Sequence, residues 1–148
     1  MAITPVDRAT VERYYQAMRL GAAGATALAR LFTDDGAYIE PFSGGDGQTR
    51  THIGREVIAE FFKDSVNHRP PDMVVTMNRI DAEGDRVRAE WTCTASVLAE
   101  PMRGVDLYTV RDGRIARLET ALVIDSVRVV CSSFRLQAWS ARGMIGMG

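Results

Sequence analysis

Apolar residues change their spacing once along the chain. Up to about residue 66 they recur every three or four positions, and from Met73 onward they alternate, so helices are expected first and strands afterwards. Thr4-Pro5-Val6-Asp7 predicts a helix start, with Thr4 as cap, Pro5 in the first turn and Asp7 at the positive end of the helix dipole. Val11, Tyr14, Tyr15 and Met18 then form one apolar face, which Gly21 ends. A second, short helix is expected over residues 25–32. Thr33-Asp34-Asp35-Gly36 breaks it, and Ala37-Tyr38-Ile39-Glu40 reads as a short extended segment because Pro41 disfavours a helical Glu40. Residues 42–51 are Gly-rich and polar, and read as loop. A third helix over 55–66 buries Val57, Ile58, Phe61 and Phe62, and His68-Arg69-Pro70-Pro71 ends it.

Beyond that point β-branched runs separated by turns predict antiparallel strands in series. Residues 73–80 form one strand and Asp81 to Asp85 a turn. Residues 86–97 form a longer strand, with Trp91, Cys93, Ala95 and Val97 on one face and Glu90, Thr92 and Thr94 on the other. A run over 102–110 meets Arg111-Asp112-Gly113-Arg114, a hairpin turn, and residues 115–124 pair back. Val127 to Val130 offer a further extended stretch, and Met144 to Gly148 a frayed end.

Helices followed by a long antiparallel sheet predict an α+β class: a cone-shaped α+β barrel of three N-terminal helices packed on a strongly curved, mostly antiparallel sheet. The 148 residues suit one domain, with a core over about 6–124 and a C-terminal extension over 125–148. A concave apolar interior is where a small hydrophobic molecule would bind.

Composition narrows the partners. A net charge of -1 and a pI near 6.1 lack the basic footprint of a nucleic-acid binder. No apolar run reaches the roughly 18 residues of a membrane span, and no secretory leader is evident, so a soluble cytoplasmic protein is expected. Cys93 and Cys131 are the two cysteines, too few for a disulfide framework or a cysteine zinc site. His52 and His68 lack companions at ligand spacing and read as surface residues, so no metal site is expected. No cofactor motif occurs, and the glycines of Asp34-Asp35-Gly36 and Arg111-Asp112-Gly113 read as turns.

Four stretches, VERYYQAM, ARLFTDDGAYIEP, IGREVIAEFF and GVDLYTVRDGRIARLE, occur in an order that resembles the nuclear transport factor 2-like superfamily, with its SnoaL-like and ketosteroid isomerase-like domains. That superfamily hosts isomerases, cyclases, dehydratases, epoxide hydrolases and binding modules, so fold alone does not fix activity. The resemblance to ketosteroid isomerases implies three catalytic positions: Tyr14 on the first helix, Glu40 before Pro41, and Asp106 on a late strand. Glu40 stands where that family carries an Asp, one methylene shorter. The implied chemistry is removal of a proton beside a ketone by Glu40, whose pKa burial would raise, while Tyr14 and a protonated Asp106 stabilise the enolate oxygen. The bearing of a neutral carboxylic acid on this chemistry is a known worked case of that family.

Each residue also has a plainer reading. Tyr14 fits a core tyrosine, Glu40 a solvated strand end, and Asp106 a buried ion pair with Arg103 or another arginine. Phe61, Phe62, Met77, Trp91 and Tyr108 are candidate substrate-binding residues, and equally ordinary core. Two functions remain open: cofactor-free proton transfer on a hydrophobic carbonyl compound, by an isomerase or a polyketide cyclase-like enzyme, and non-catalytic binding or dimerisation by the same fold. A cyclase's His and Asp pair finds no match. An epoxide hydrolase is less well served, because Trp91, Cys93 and Thr120 stand where it needs Asp, Arg and Asp. Val105 and Leu107 on the outer sheet face suggest a homodimer.

Overall fold

The computed structural model describes residues 2–45 and 47–123, over which three α-helices pack on one six-stranded sheet. Helix α1 spans Pro5–Arg19. Thr4 Oγ1 caps it by accepting from the Asp7 N–H at 3.0 Å, and Gly21, at φ 65°, follows its end. A 3₁₀ turn, Gly21–Gly24, leads into α2, Ala25–Arg30. Helix α2 is shorter than expected because Phe32 already belongs to a strand.

That strand, β1, runs Phe32–Glu40 and absorbs the Thr33-Asp34-Asp35-Gly36 segment instead of being delayed by it. Phe32 pairs with Ile115 and Ala37 with Arg117, so extra residues bulge out between these pairs, leaving Asp34 and Asp35 exposed. Arg55 fixes the bulge, its Nη1 2.6 Å from Asp34 Oδ1 and its Nε donating to Phe32 O at 2.8 Å. The polar stretch after it is not all loop. Its end forms β2, Arg50–Ile53, which pairs antiparallel with β1, His52 opposite Tyr38. Helix α3, Arg55–Asn67, buries Ile58, Phe62 and Ser65 on one stripe, whereas Val57 lies off that stripe and is 49% exposed.

Strands β3 (Val74–Glu83), β4 (Arg86–Thr94), β5 (Met102–Arg111) and β6 (Arg114–Leu122) follow in antiparallel succession. The first of these turns is tighter than expected. Glu83 pairs with Arg86, leaving Gly84, at φ 63°, and Asp85 as the two turn residues. Strand β4 stops at Thr94, so Val97 lies beyond it and is exposed. The Asp112-Gly113 turn is as expected, both residues at positive φ. Ile124, the Val127 to Val130 stretch, Cys131 and the tail to Gly148 lie outside the described residues.

The strand order is β2-β1-β6-β5-β4-β3. Among the described residues only β1 and β6 pair in parallel, joining the earliest strand to the latest, and the sheet they form is open, with β2 and β3 at its edges. Its inner face carries Tyr38, Glu40, Leu118, Thr120, Asp106, Tyr108, Ala89 and Trp91, all buried beneath the helices. Its outer face carries a lattice of ion pairs, among them Arg86 with Glu119 and Arg88 with Glu83. Thr10 ties helix to sheet, its hydroxyl shared between Val6 O at 2.9 Å and Gly113 O at 3.1 Å. Among the described residues no helix is long and apolar enough to cross a membrane.

Candidate active site

Between α1, α3 and the inner sheet face lies a narrow apolar pocket of about 70 Å³, a concave apolar setting of the kind that takes small molecules. Tyr14, Phe61, Phe62 and Trp91 line it, as the sequence suggests, together with Tyr15, Tyr38, Met73, Met102 and Cys93. Met77 is half-buried against the core and Tyr108 sits behind the wall; neither lines this pocket. The aromatic rings meet mostly edge-on, Tyr14 with Tyr108 at 5.7 Å and with Phe62 at 6.2 Å, which holds the wall rigid.

Asp106 is the acid of the pocket. Strand alternation aims it inward, where it is 2% exposed. Oδ2 accepts from Tyr15 Oη at 2.6 Å and Tyr108 Oη at 3.1 Å, and Oδ1 from Trp91 Nε1 at 3.0 Å and Thr120 Oγ1 at 2.7 Å. These are neutral donors, so the plainer reading of a buried ion pair with Arg103 or another arginine is not what the described residues form; Arg103 is exposed, on the opposite sheet face. Burial pushes the Asp106 carboxyl above its ordinary range, against the opposing pull of these four hydrogen bonds. Burial likewise raises the Tyr14, Tyr15 and Tyr108 hydroxyls, with Asp106 adding to each, so all three keep their protons and can donate.

Gly104 makes this arrangement possible. It lies opposite Trp91 in the β4–β5 register, and a Cβ there would fall 2.1 Å from Trp91 Cζ2. The bare backbone lets the indole lie across β5 and reach Asp106 two residues along.

Glu40 is buried, not solvated, and shares the inner face with Asp106, strand β6 between them. Its carboxylate does not line the pocket. It accepts from the Phe42 N–H at 2.9 Å, the Ser43 N–H at 3.0 Å and the Ser43 hydroxyl, with His52 Nε2 at 3.4 Å. Burial alone would raise its pKa, as expected from sequence, but His52, Ser43 and the two backbone N–H groups outweigh it and hold the carboxylate below its ordinary value. His52 is correspondingly not a surface residue. It is 7% exposed, with its ring 4.3 Å from Phe61, because β2 alternates and turns it inward. No group of three or more His, Cys, Asp or Glu that could hold a metal ion occurs among the described residues.

Tyr15, Thr120, Tyr38 and Arg69 are site residues that the sequence reading did not select. Tyr15 had a signal, since it shares the apolar face of α1 with Tyr14, and the structure brings Tyr15, not Tyr14, to Asp106. Thr120 needed the β5–β6 register, which sets it opposite Asp106.

Structural neighbours agree in fold. A steroid delta-isomerase from Pseudomonas aeruginosa superposes with a TM-score of 0.68 at 16% identity, covering 98% of this chain and 96% of that one. A protein with a ketosteroid isomerase-like fold from Catenulispora acidiphila, solved with trimethylamine, gives 0.63 at 22% identity, over 86% and 92% of the two chains. An NTF2-like protein of unknown function from Mesorhizobium loti gives 0.62 at 20% identity, over 79% and 90%. No curated protein matches the sequence. The model of the SnoaL-like domain matches residues 11–118, a span that runs from within α1 into β6 and holds Glu40 and Asp106, and the chain belongs to that family.

Proposed function

We propose that the domain takes up a small hydrophobic carbonyl compound and moves a proton on it without a cofactor, as in ketosteroid isomerisation or cyclase-type enolate chemistry. The observation that carries this reading is Asp106: an acid in an apolar pocket, surrounded by neutral donors and pushed toward its protonated form. Trp91 Nε1 can only donate, which leaves Oδ2 as the natural seat of the proton. With Oδ2 protonated, one phenol on that side turns from donor to acceptor and frees its own O–H. Tyr15 lines the pocket and Tyr108 does not, so Tyr15 is the phenol that presents a hydrogen to a substrate oxygen. Tyr14 is a second donor at the same wall.

In this reaction Glu40 takes the proton from the carbon beside the carbonyl, the electrons move to the oxygen held by Tyr15 and Tyr14, and the proton returns to the far carbon of the shifted double bond. Glu40 lies outside the pocket lining, so the Phe42-Ser43 turn and His52 must release the carboxylate and it must swing into the pocket first. That clamp is also what favours a second reading, non-catalytic storage or sensing of the same class of ligand. Following formation of the conjugated enone from β,γ-unsaturated ketones, including 3-oxo-Δ5 steroids, separates the two. Turnover by the wild type that Glu40→Gln abolishes supports catalysis; equal rates remove Glu40 as base; binding with no turnover across the panel leaves the second reading.

A further inference from the structure

The proton transfer proposed above makes no use of the one basic side chain among the residues that line the pocket, Arg69. Arg69 follows α3 where Pro70 and Pro71 forbid more helix, its backbone N–H donating to Val66 O at 3.2 Å and its Nη2 to Ser65 Oγ at 3.4 Å. The residue borders the apolar pocket and also an adjoining, more polar hollow of about 360 Å³, which shares Met18, Met73 and Val75 with it. Arg69 therefore stands between the two, its charge felt by Tyr14, Tyr38 and Cys93 of the apolar pocket. Among the described residues, every ion pair to a carboxylate is made by another base, none by Arg69. Asp106, the acid of the same pocket, takes its hydrogen bonds from Tyr15, Trp91, Tyr108 and Thr120.

A guanidinium stays charged and carries five N–H donors in a planar fork. In surroundings this apolar, a charge without a counter-ion is unfavourable, and a ligand that brings one gains both the ion pair and two parallel hydrogen bonds. We infer that the ligand of this pocket is an amphiphilic acid: an apolar ring body lying against Phe61, Phe62 and Trp91, with a carboxylate that pairs with Arg69. The inference rests on the pocket being the ligand site, and narrows its substrates from neutral ketones to keto acids.

Titration calorimetry of the full chain with naphthalene-2-carboxylate and the uncharged 2-acetylnaphthalene tests it. The wild type is expected to bind the acid at least about tenfold more tightly than the ketone. Arg69→Met is expected to lose that preference, with a near-ultraviolet dichroism spectrum like the wild type's showing its pocket intact, and Arg69→Lys to keep part of it. Equal affinity of the wild type for both probes, or an Arg69→Met protein that still prefers the acid, overturns the inference while ketone binding leaves the pocket reading standing. Failure of the folded wild type to bind either probe overturns both. The wild-type comparison decides even if Arg69→Met does not fold.

Discussion

The Tyr15 hydroxyl lies 2.6 Å from Asp106 Oδ2, closer than the three other donors to that carboxyl. Helix α1 and strand β5 thus meet through one buried hydrogen bond across the pocket wall. Tyr15→Phe is expected to cost about 1 kcal/mol in urea denaturation and, where turnover is found, about a hundredfold in kcat. Tyr14→Phe should cost less in turnover. The reverse ranking would move the donor role from Tyr15 to Tyr14.

Asp106 and pH are linked in a definite direction. Between the ordinary carboxyl value of 3.8 and its raised value in the fold, Asp106 holds a proton that the unfolded chain has lost, so stability falls as pH rises through that window. Asp106→Asn has no such proton to lose. Its stability relative to wild type is expected to improve steadily above about pH 4, and parallel stability curves from pH 4 to 9 would contradict the raised carboxyl.

Glu40 behaves oppositely. Its pKa is lowered from 4.5, so the stability it contributes is present above that value and lost as pH falls through the folded one. Glu40→Gln is expected to cost about 1–3 kcal/mol at neutral pH, by leaving donors of the Phe42-Ser43 turn without a charged acceptor. The deficit should shrink on acidification below 4.5. Hydrogen exchange at the Phe42 and Ser43 amides gives a local readout: both should exchange faster in the variant.

Gly104→Ala places a methyl where Trp91 lies, with backbone on one side and an indole held by Asp106 on the other. A loss of about 1–3 kcal/mol is expected, with a changed near-ultraviolet dichroism as the ring is displaced. A variant as stable as wild type with an unchanged spectrum would show that the indole has room to move.

Cys93 is a free, buried thiol in the pocket wall, and burial pushes its pKa up to about 11. At neutral pH it should resist iodoacetamide in the folded protein and react on unfolding, as read by peptide mass spectrometry of the Cys93 peptide. Rapid labelling in the native state would mean the pocket opens readily.

The sequence carried the architecture because each element had an independent local signal: the Thr4-Pro5 cap, the stripe of Ile58 and Phe62, the Asp112-Gly113 turn. Elements defined by pairing were harder to see. Strand β2 is four residues in a Gly-rich stretch, recognisable only beside β1, and the Asp34-Asp35 bulge looks like a break until Phe32 is set against Ile115. The same division holds for the site. Asp106 announces itself as a carboxylate between apolar residues, whereas Thr120 and Tyr38 acquire a role through register, and Arg69 through the meeting of α1, α3 and β3 around it. Glu40 is legible as a residue but not as a loop clasp, since two of its partners are backbone N–H groups, which every sequence contains, and His52 reaches it only through the β1–β2 pairing.

The shared hydroxyl of Thr10 also sets an order of assembly. Its acceptors lie on its own helix and on a turn 103 residues later, and Tyr15 likewise waits for Asp106. During synthesis α1 can pack early on Phe32 and Phe62, but Thr10 and Tyr15 find their partners on the sheet only when the last hairpin emerges. Any chain released before β6 therefore carries a helix only partly covered in place of a finished pocket, a natural target for chaperones and proteases.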